Sequence, residues 1–263
     1  MIYLTHLNTK TITIMKFIAA ILLVIFSVSA QAEVSKYRLA SWNILCATCN
    51  PGAPIIDWDS RRDGVINKIK DENPQILALQ EVEIGDQIEY VLSELGGYNA
   101  CISKTDNSKA HTMLMVKSDI DHQCLPPIDL ADNRQCAHAL INGVHYYSCH
   151  FPLTDRLNTE STALFLAGLE SPFVFMGDFN THSGASGYPQ NDAELLQYTQ
   201  TREDESGADS FWNIDKIGTD DAELRIKFDR QIDFSYSDHP YLKAKFYSMK
   251  FMAVIINYQL ETL

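Results

Sequence analysis

The sequence predicts a single globular α/β domain, and three observations carry that reading. The chain has 263 residues, 46% of them apolar, enough to bury a full core and unlike a fibrous or disordered chain. Short runs rich in β-branched and aromatic residues recur along it and stop at polar residues, the pattern of buried strands. Between the early runs lie stretches with helical spacing, so helices and strands are interleaved.

In chain order, Tyr37 to Leu45 alternates and then turns, giving a first strand with Asn43 as its polar exit residue and Trp42 on the other face. Trp58 to Glu72 has helical spacing at Val65, Ile66 and Ile69, with Asp57 and Asp59 available as caps and Asn73-Pro74 as the stop. Gln75 to Val82 is the second strand. Its Ile76-Leu77-Ala78-Leu79 run is apolar on both sides, which places it centrally with both faces covered, and it ends at Gln80-Glu81. A helix over Asp86 to Leu95 stops at Gly96-Gly97.

Strands then dominate: Tyr98 to Ser103, His111 to Lys117, Gln135 to Ile141 and Val144 to Phe151. They are joined by the polar turn Thr105-Asp106-Asn107-Ser108, a longer loop carrying Pro126-Pro127, and a tight Asn142-Gly143 hairpin. His150 stands at the exit of the last strand, and an amphipathic helix is expected over Asp155 to Leu169. Pro172 to Met176 reads as a buried strand that stops at Gly177-Asp178-Phe179-Asn180. A loop and a short helix over Asp192 to Tyr198 follow. The acidic stretch 201–223 reads as a solvated surface insertion. Leu224 to Phe234 and Tyr241 to Tyr247 are the final strands, flanking Ser237-Asp238-His239-Pro240, and residues 248–263 form an apolar tail.

The formal net charge is −13 with the basic residues dispersed, so no Lys/Arg stripe advertises phosphate neutralisation along a duplex. Bound divalent cations can supply positive charge locally. Lys16, the apolar run Phe17 to Phe26 and Ala30-Gln31-Ala32 form a secretory signal pattern. The expected division is residues 1–32 as signal peptide, cleaved after Ala32, with Met15 as an alternative start and 33–263 as the mature domain, secreted or periplasmic. All six cysteines lie in the exported part, which favours disulfides; Cys46 with Cys49 and Cys124 with Cys136 are the locally cheapest pairings.

Strands that end in Asn43, Glu81, His150, Asp178, Asn180 and Asp238-His239 gather carboxylates, amides and imidazoles if those ends share one sheet edge. Such a set suits phosphoryl transfer. Glu81 and Asp238 match a hard divalent cation, expected to be Mg2+ with Mn2+ or Ca2+ as alternatives. His239 can act as general base if a carboxylate orients its other nitrogen, and Asn43, Asn180 and His150 can donate to phosphoryl oxygens as charge develops.

Ser41-Trp42-Asn43-Ile44, Ile76-Leu77-Ala78-Leu79-Gln80-Glu81-Val82, Cys149-His150-Phe151, Gly177-Asp178-Phe179-Asn180 and Ser237-Asp238-His239-Pro240 resemble, in order, the motifs of the endonuclease/exonuclease/phosphatase superfamily. Trp58 with Arg61-Arg62, and Arg156 with Glu160-Ser161, add to the resemblance. It implies a four-layer α/β sandwich, two mainly antiparallel β-sheets flanked by helices, with the site at one end. It also implies Glu81 as principal metal ligand with Asn43 and Asp238 near the metal, His150 and Asn180 on the phosphate, and Asp178 positioning or activating the attacking water. His239 would pair with an Asp from the preceding strand. Only four residues separate Asp233 from Asp238, shorter than the usual connection, which leaves Asp229 a rival to Asp233.

The expected activity is a secreted, metal-dependent phosphodiesterase acting as a monomer on a phosphodiester, nucleic acid first. The alternatives are a phospholipid, sphingomyelin or small phosphate-ester hydrolase, and a catalytically impaired binding or toxin-subunit protein on the same fold.

Overall fold

The computed structural model describes residues 36–48, 57–103, 110–130, 133–152, 168–180, 215–219, 224–229, 236–237 and 241–248, all within one compact unit, Lys36–Ser248. The expected signal segment 1–32, the stretches 155–167 and 192–198 expected to be helical, and the tail beyond residue 248 lie outside the described residues.

Strand β1 (Lys36–Asn43) leads to helix α1 (Trp58–Glu72) and strand β2 (Ile76–Glu83). The helix starts where expected: the Asp57 carboxylate accepts the Ser60 backbone N–H at 3.0 Å, and Asn73 closes it in the left-handed region. A crossover helix of this kind lets its flanking strands lie parallel, and β1 and β2 pair in parallel. After α2 (Asp86–Glu94) come β3 (Tyr98–Ile102), β4 (Ala110–Lys117), β5 (Gln123–Asp129), β6 (Gln135–Ile141), β7 (Val144–His150), β8 (Phe173–Asp178), β9 (Asp215–Thr219), β10 (Leu224–Asp229) and β11 (Leu242–Ser248).

These form a six-stranded sheet in the order β10-β11-β1-β2-β4-β3 and a five-stranded sheet in the order β5-β6-β7-β8-β9. Each is antiparallel except for one parallel pair, β1–β2 in the first and β7–β8 in the second. The central run of β2 shows how the layers arise. Ile76 and Ala78 point into a core shared with Ala139, Tyr146, Val174 and Met176 of the second sheet. Leu77 and Leu79 point the other way, onto Val65, Ile66 and Ile69 of α1 and Val91 of α2. A third cluster, Tyr147, Phe173, Phe175 and Phe179, buries the outer face of the second sheet, with Leu169 packed on it.

Several expectations need correction. The Pro126-Pro127 loop is strand β5: the register shifts between Leu125 and Ile128, and β5 is an edge strand, where a bulge accommodates proline. The stretch 201–223 is not wholly a solvated insertion, because β9 pairs with β8 and buries Ile217 and Thr219. The expected helix does not reach Leu169, since Gly168 and Leu169 lie in a turn. Cys124 does not pair with Cys136; the bonds are Cys101–Cys124 and Cys136–Cys149. Cys46 is disulfide-bonded, and its expected partner Cys49 lies outside the described residues. The strand expected over Leu224 to Phe234 is described as far as Asp229.

The outer face of the second sheet carries a pH-dependent feature. His138 stacks on Tyr147 at 4.3 Å and contacts His145 at 2.9 Å, and His145 faces Glu170 at 3.2 Å. Burial first, and then the neighbouring His145, push the His138 imidazole down to about 4. An unfolded His titrates near ~6.5, so between the two values the unfolded chain binds a proton that the folded chain does not. Stability is therefore lost as pH falls from about 6.5 toward about 4. Thermal unfolding across this window should show a steeper fall for the native chain than for His138→Phe; equal slopes would count against the assignment.

Candidate active site

The two parallel pairs send their C-terminal ends to the same end of the sandwich, and these ends carry the polar residues. Asn43 closes β1, Glu81 lies at the end of β2, His150 closes β7 and Asp178 closes β8 opposite it. Asn43 and Asp178 are 0% and 1% exposed, and His150 is 8% exposed.

Local backbone irregularities aim these side chains. Glu81 has φ 55°, and the β2–β4 register shifts between Leu79 and Val82, so a bulge turns Glu81 out of the strand alternation toward the site. Asn180 also has a positive φ of 50°, and its N–H donates to Asp178 Oδ1 at 2.9 Å, an Asx turn. Between them, the ring of Phe179 is fully buried, 4.6 Å from Phe151 and 4.8 Å from Phe175. That anchor fixes the polar residue on either side of it. Gly177 is required by close approach: a Cβ there would lie 1.9 Å from the Cys149 carbonyl oxygen.

The side chains then meet. Asn43 Nδ2 donates to Glu81 Oε1 at 3.0 Å and to Asp178 Oδ2 at 3.1 Å, so one amide bridges two carboxylates from different sheets. Asn43 Oδ1 accepts the Leu45 N–H at 3.0 Å, which fixes the amide orientation. Glu81 Oε2 accepts the Cys46 N–H at 3.3 Å. His150 Nε2 lies 3.4 Å from Asp178 Oδ2 and 3.8 Å from Glu81 Oε1. Asn180 Nδ2 donates to the Phe151 carbonyl at 2.6 Å.

Two carboxylates held this close, one of them buried, repel unless a cation or proton intervenes. Donor atoms of Glu81, His150 and Asp178 lie within 4.8 Å of one another, a spacing that suits a divalent ion. Carboxylate oxygens fit a hard cation, and the imidazole beside them offers a donor to an anionic ligand.

Of the residues singled out from the sequence, Asn43, Glu81, His150, Asp178 and Asn180 are brought together here, while Asp233, Asp238 and His239 lie outside the described residues. Their immediate neighbour is in place: Ser237 Oγ donates to the Asn43 carbonyl at 2.6 Å. Tyr236 is held as well, its carbonyl accepting Arg61 Nη1 at 3.1 Å and its ring lying over Gly64. Arg61 also donates to the carbonyls of Ile44 and Leu45, so one guanidinium ties the loop after Asn43 to the segment before Asp238.

Two features were missed from the sequence. Gln80 links the sheets beneath the site, its Nε2 donating to Ser148 Oγ at 3.2 Å while Ser148 Oγ donates to the Leu79 carbonyl at 3.2 Å. Polar residues one or two positions before strand-end site residues were the available signal. Arg134 Nη1 donates to the Phe151 carbonyl at 2.6 Å, placing a cation beside His150; a lone loop arginine gives no sequence signal.

The sequence matches the profile of the Endonuclease/Exonuclease/phosphatase family over residues 40–239, and the chain belongs to that family. Its members are metal-dependent phosphoesterases, so the protein is a hydrolase of phosphoric esters dependent on a divalent metal. The fold is similar to an endonuclease/exonuclease/phosphatase from Bacteroides vulgatus, with TM-score 0.60 and 19% identity over 81% of this chain and 98% of that one. It is also similar to the human Nocturnin catalytic domain with bound sulfate, with TM-score 0.57 and 17% identity over 82% and 97% of the two chains. A third similar structure is the Bacteroides thetaiotaomicron mannosyl-6-phosphatase, with TM-score 0.57 and 15% identity over 80% and 99%. No curated protein sequence matches the chain.

Proposed function

We propose that the chain is an exported, Mg2+-dependent phosphodiesterase that acts as a monomer on nucleic acid. The observation that carries this reading is the amide of Asn43 bridging Glu81 and Asp178 with His150 alongside, four groups from both sheets converging at one point. Glu81, with Asn43 beside it and Asp238 contributed from the segment anchored at Ser237, would hold the ion. When bound, the ion polarises a phosphoryl oxygen and neutralises charge on the substrate. His150 and Asn180 donate to the phosphoryl oxygens as negative charge grows on them. Asp178 orients the attacking water and accepts its proton, with His239 as a second basic group.

Register favours Asp233 over Asp229 as the partner of His239. Asp229 pairs with Lys243, which pairs with Ala40, so Asp229 stands three residues short of Asn43 along the sheet. β10 runs parallel to β1, toward the site end, and is described as far as Asp229, while Asp233 lies outside the described residues.

A small phosphate ester is the second reading, favoured by the net charge of −13 and by the fold's similarity to a mannosyl-6-phosphatase. The test is to purify residues 33–263 and assay plasmid DNA, RNA, sphingomyelin, a generic phosphodiester and a sugar phosphate, with Mg2+ or EDTA, beside His239→Ala. Mg2+-dependent cleavage of nucleic acid, lost in the variant, is expected. Turnover of the sugar phosphate alone would move the substrate to the second reading, and no turnover by folded protein would leave the impaired binding protein.

A further inference from the structure

Apart from the candidate active site, three donors from other parts of the fold meet around the Cys101–Cys124 disulfide. Cys101 lies on β3, the edge of the six-stranded sheet, and Cys124 on β5, the edge of the five-stranded sheet, so the bond clasps one sheet to the other. His122 stands immediately before β5 and two residues from Cys124, the spacing that puts both side chains on one side of an extended chain. A nitrogen of His122 and the two sulfurs lie within 4.8 Å of one another.

The imidazole is also oriented for ligation. His122 Nδ1 lies 2.8 Å from the Ile120 carbonyl, an acceptor, so Nδ1 carries the proton and the lone pair remains on Nε2. A backbone carbonyl holding the second ring nitrogen is the arrangement that fixes metal-ligating histidines. Two thiolates and one imidazole form a soft donor set suited to Zn2+, and tetrahedral bonds of about 2.3 Å would separate the sulfurs by about 3.8 Å. The donors span a buried residue, Cys101, and an exposed one, Cys124, so a reductant and an ion both have access. The buried Cys136–Cys149 pair has no comparable third donor among the described residues.

We propose that Cys101, Cys124 and His122 form a zinc site in the dithiol form of the protein, with water as the fourth ligand. An external dithiol opens the clasp: its two thiols are oxidised to a disulfide, while two electrons and two protons pass to the sulfurs of Cys101 and Cys124. Zn2+ then displaces both thiol protons to solvent and bonds the two sulfurs and His122 Nε2. The same two edge strands are thus joined covalently when oxidised and through the ion when reduced.

The test uses the mature chain, reduced with a dithiol under argon, freed of reductant and titrated with Co2+ and then Zn2+. The expected result is a thiolate-to-cobalt charge-transfer band that Zn2+ abolishes at one equivalent and that oxidised protein lacks. His122→Ala should weaken zinc binding at least ~10-fold, and His122→Cys should restore it. Circular dichroism of each variant reports folding independently. A band that survives Cys124→Ser arises from other cysteines and overturns the proposal, as does zinc affinity unchanged in His122→Ala.

Discussion

Asp178→Asn should lower kcat by about 10²–10⁴-fold at saturating Mg2+ while leaving the fold intact. The two side chains have nearly the same shape, and the amide oxygen can still accept the Asn180 N–H now bonded to Asp178 Oδ1 at 2.9 Å. What disappears is the negative charge facing His150 at 3.4 Å and Asn43 at 3.1 Å, and with it the proton acceptor that the proposed mechanism places there. The same change alters the metal-free protein. With the amide oxygen held by the Asn180 N–H, the new Nδ2 stands where Oδ2 accepted Asn43 Nδ2 at 3.1 Å, so two donors face each other even as the repulsion between the carboxylates of Glu81 and Asp178 is removed. Added divalent metal should therefore raise the thermal midpoint of Asp178→Asn less than that of the native chain. Steady-state kinetics and thermal unfolding with and without Mg2+ read both effects; a variant that keeps native kcat removes Asp178 from the chemistry.

How much of this site was legible in the sequence depended on whether its cause was local. Asn43, Glu81, His150, Asp178 and Asn180 each follow a short apolar run, so their strand-end positions could be read directly. Their convergence rests on two parallel pairings, which no local pattern reveals. β5 was hidden by Pro126-Pro127, because proline argues against a strand unless the strand is known to lie at an edge. β9 was hidden by its acidic surroundings, and it is a strand because β8 offers it a partner, Thr219 pairing with Val174.

The Cys136–Cys149 bond was in fact within reach. A two-residue turn at Asn142-Gly143 pairs residues equidistant from it, Ile141 with Val144 and Ala137 with Ser148, and the next such pair is Cys136 with Cys149. The bulge at Glu81 had no such signal, since its positive φ of 55° belongs to a residue type that rarely adopts it.

Gly177→Ala should cost more than ~4 kcal/mol of stability. Its φ of 148° is one that L residues rarely adopt, and the added Cβ would meet Cys149 O at 1.9 Å, Cys149 C at 2.9 Å and Cys149 N at 3.0 Å. These are backbone atoms and cannot rotate aside. Nor can β7 easily retreat, because Cys149 is bonded to Cys136 on β6 and its chain pairs with β6 along the hairpin. The strain thus falls on the β7–β8 pairing that sets His150 opposite Asp178. Gly143→Ala supplies the contrast: its φ is also positive, 76°, but nothing lies within 4 Å of the added Cβ. That variant should lose only the ~1–2 kcal/mol of a left-handed alanine. Thermal unfolding separates the cases, since each kcal/mol shifts the midpoint of a domain this size by about 2–4 °C. Gly177→Ala should fall by ~10 °C or more and lose stabilisation by added divalent metal with it; equal losses for the two variants would mean that backbone conformation, not the approach of β8 to Cys149, is what Gly177 supplies.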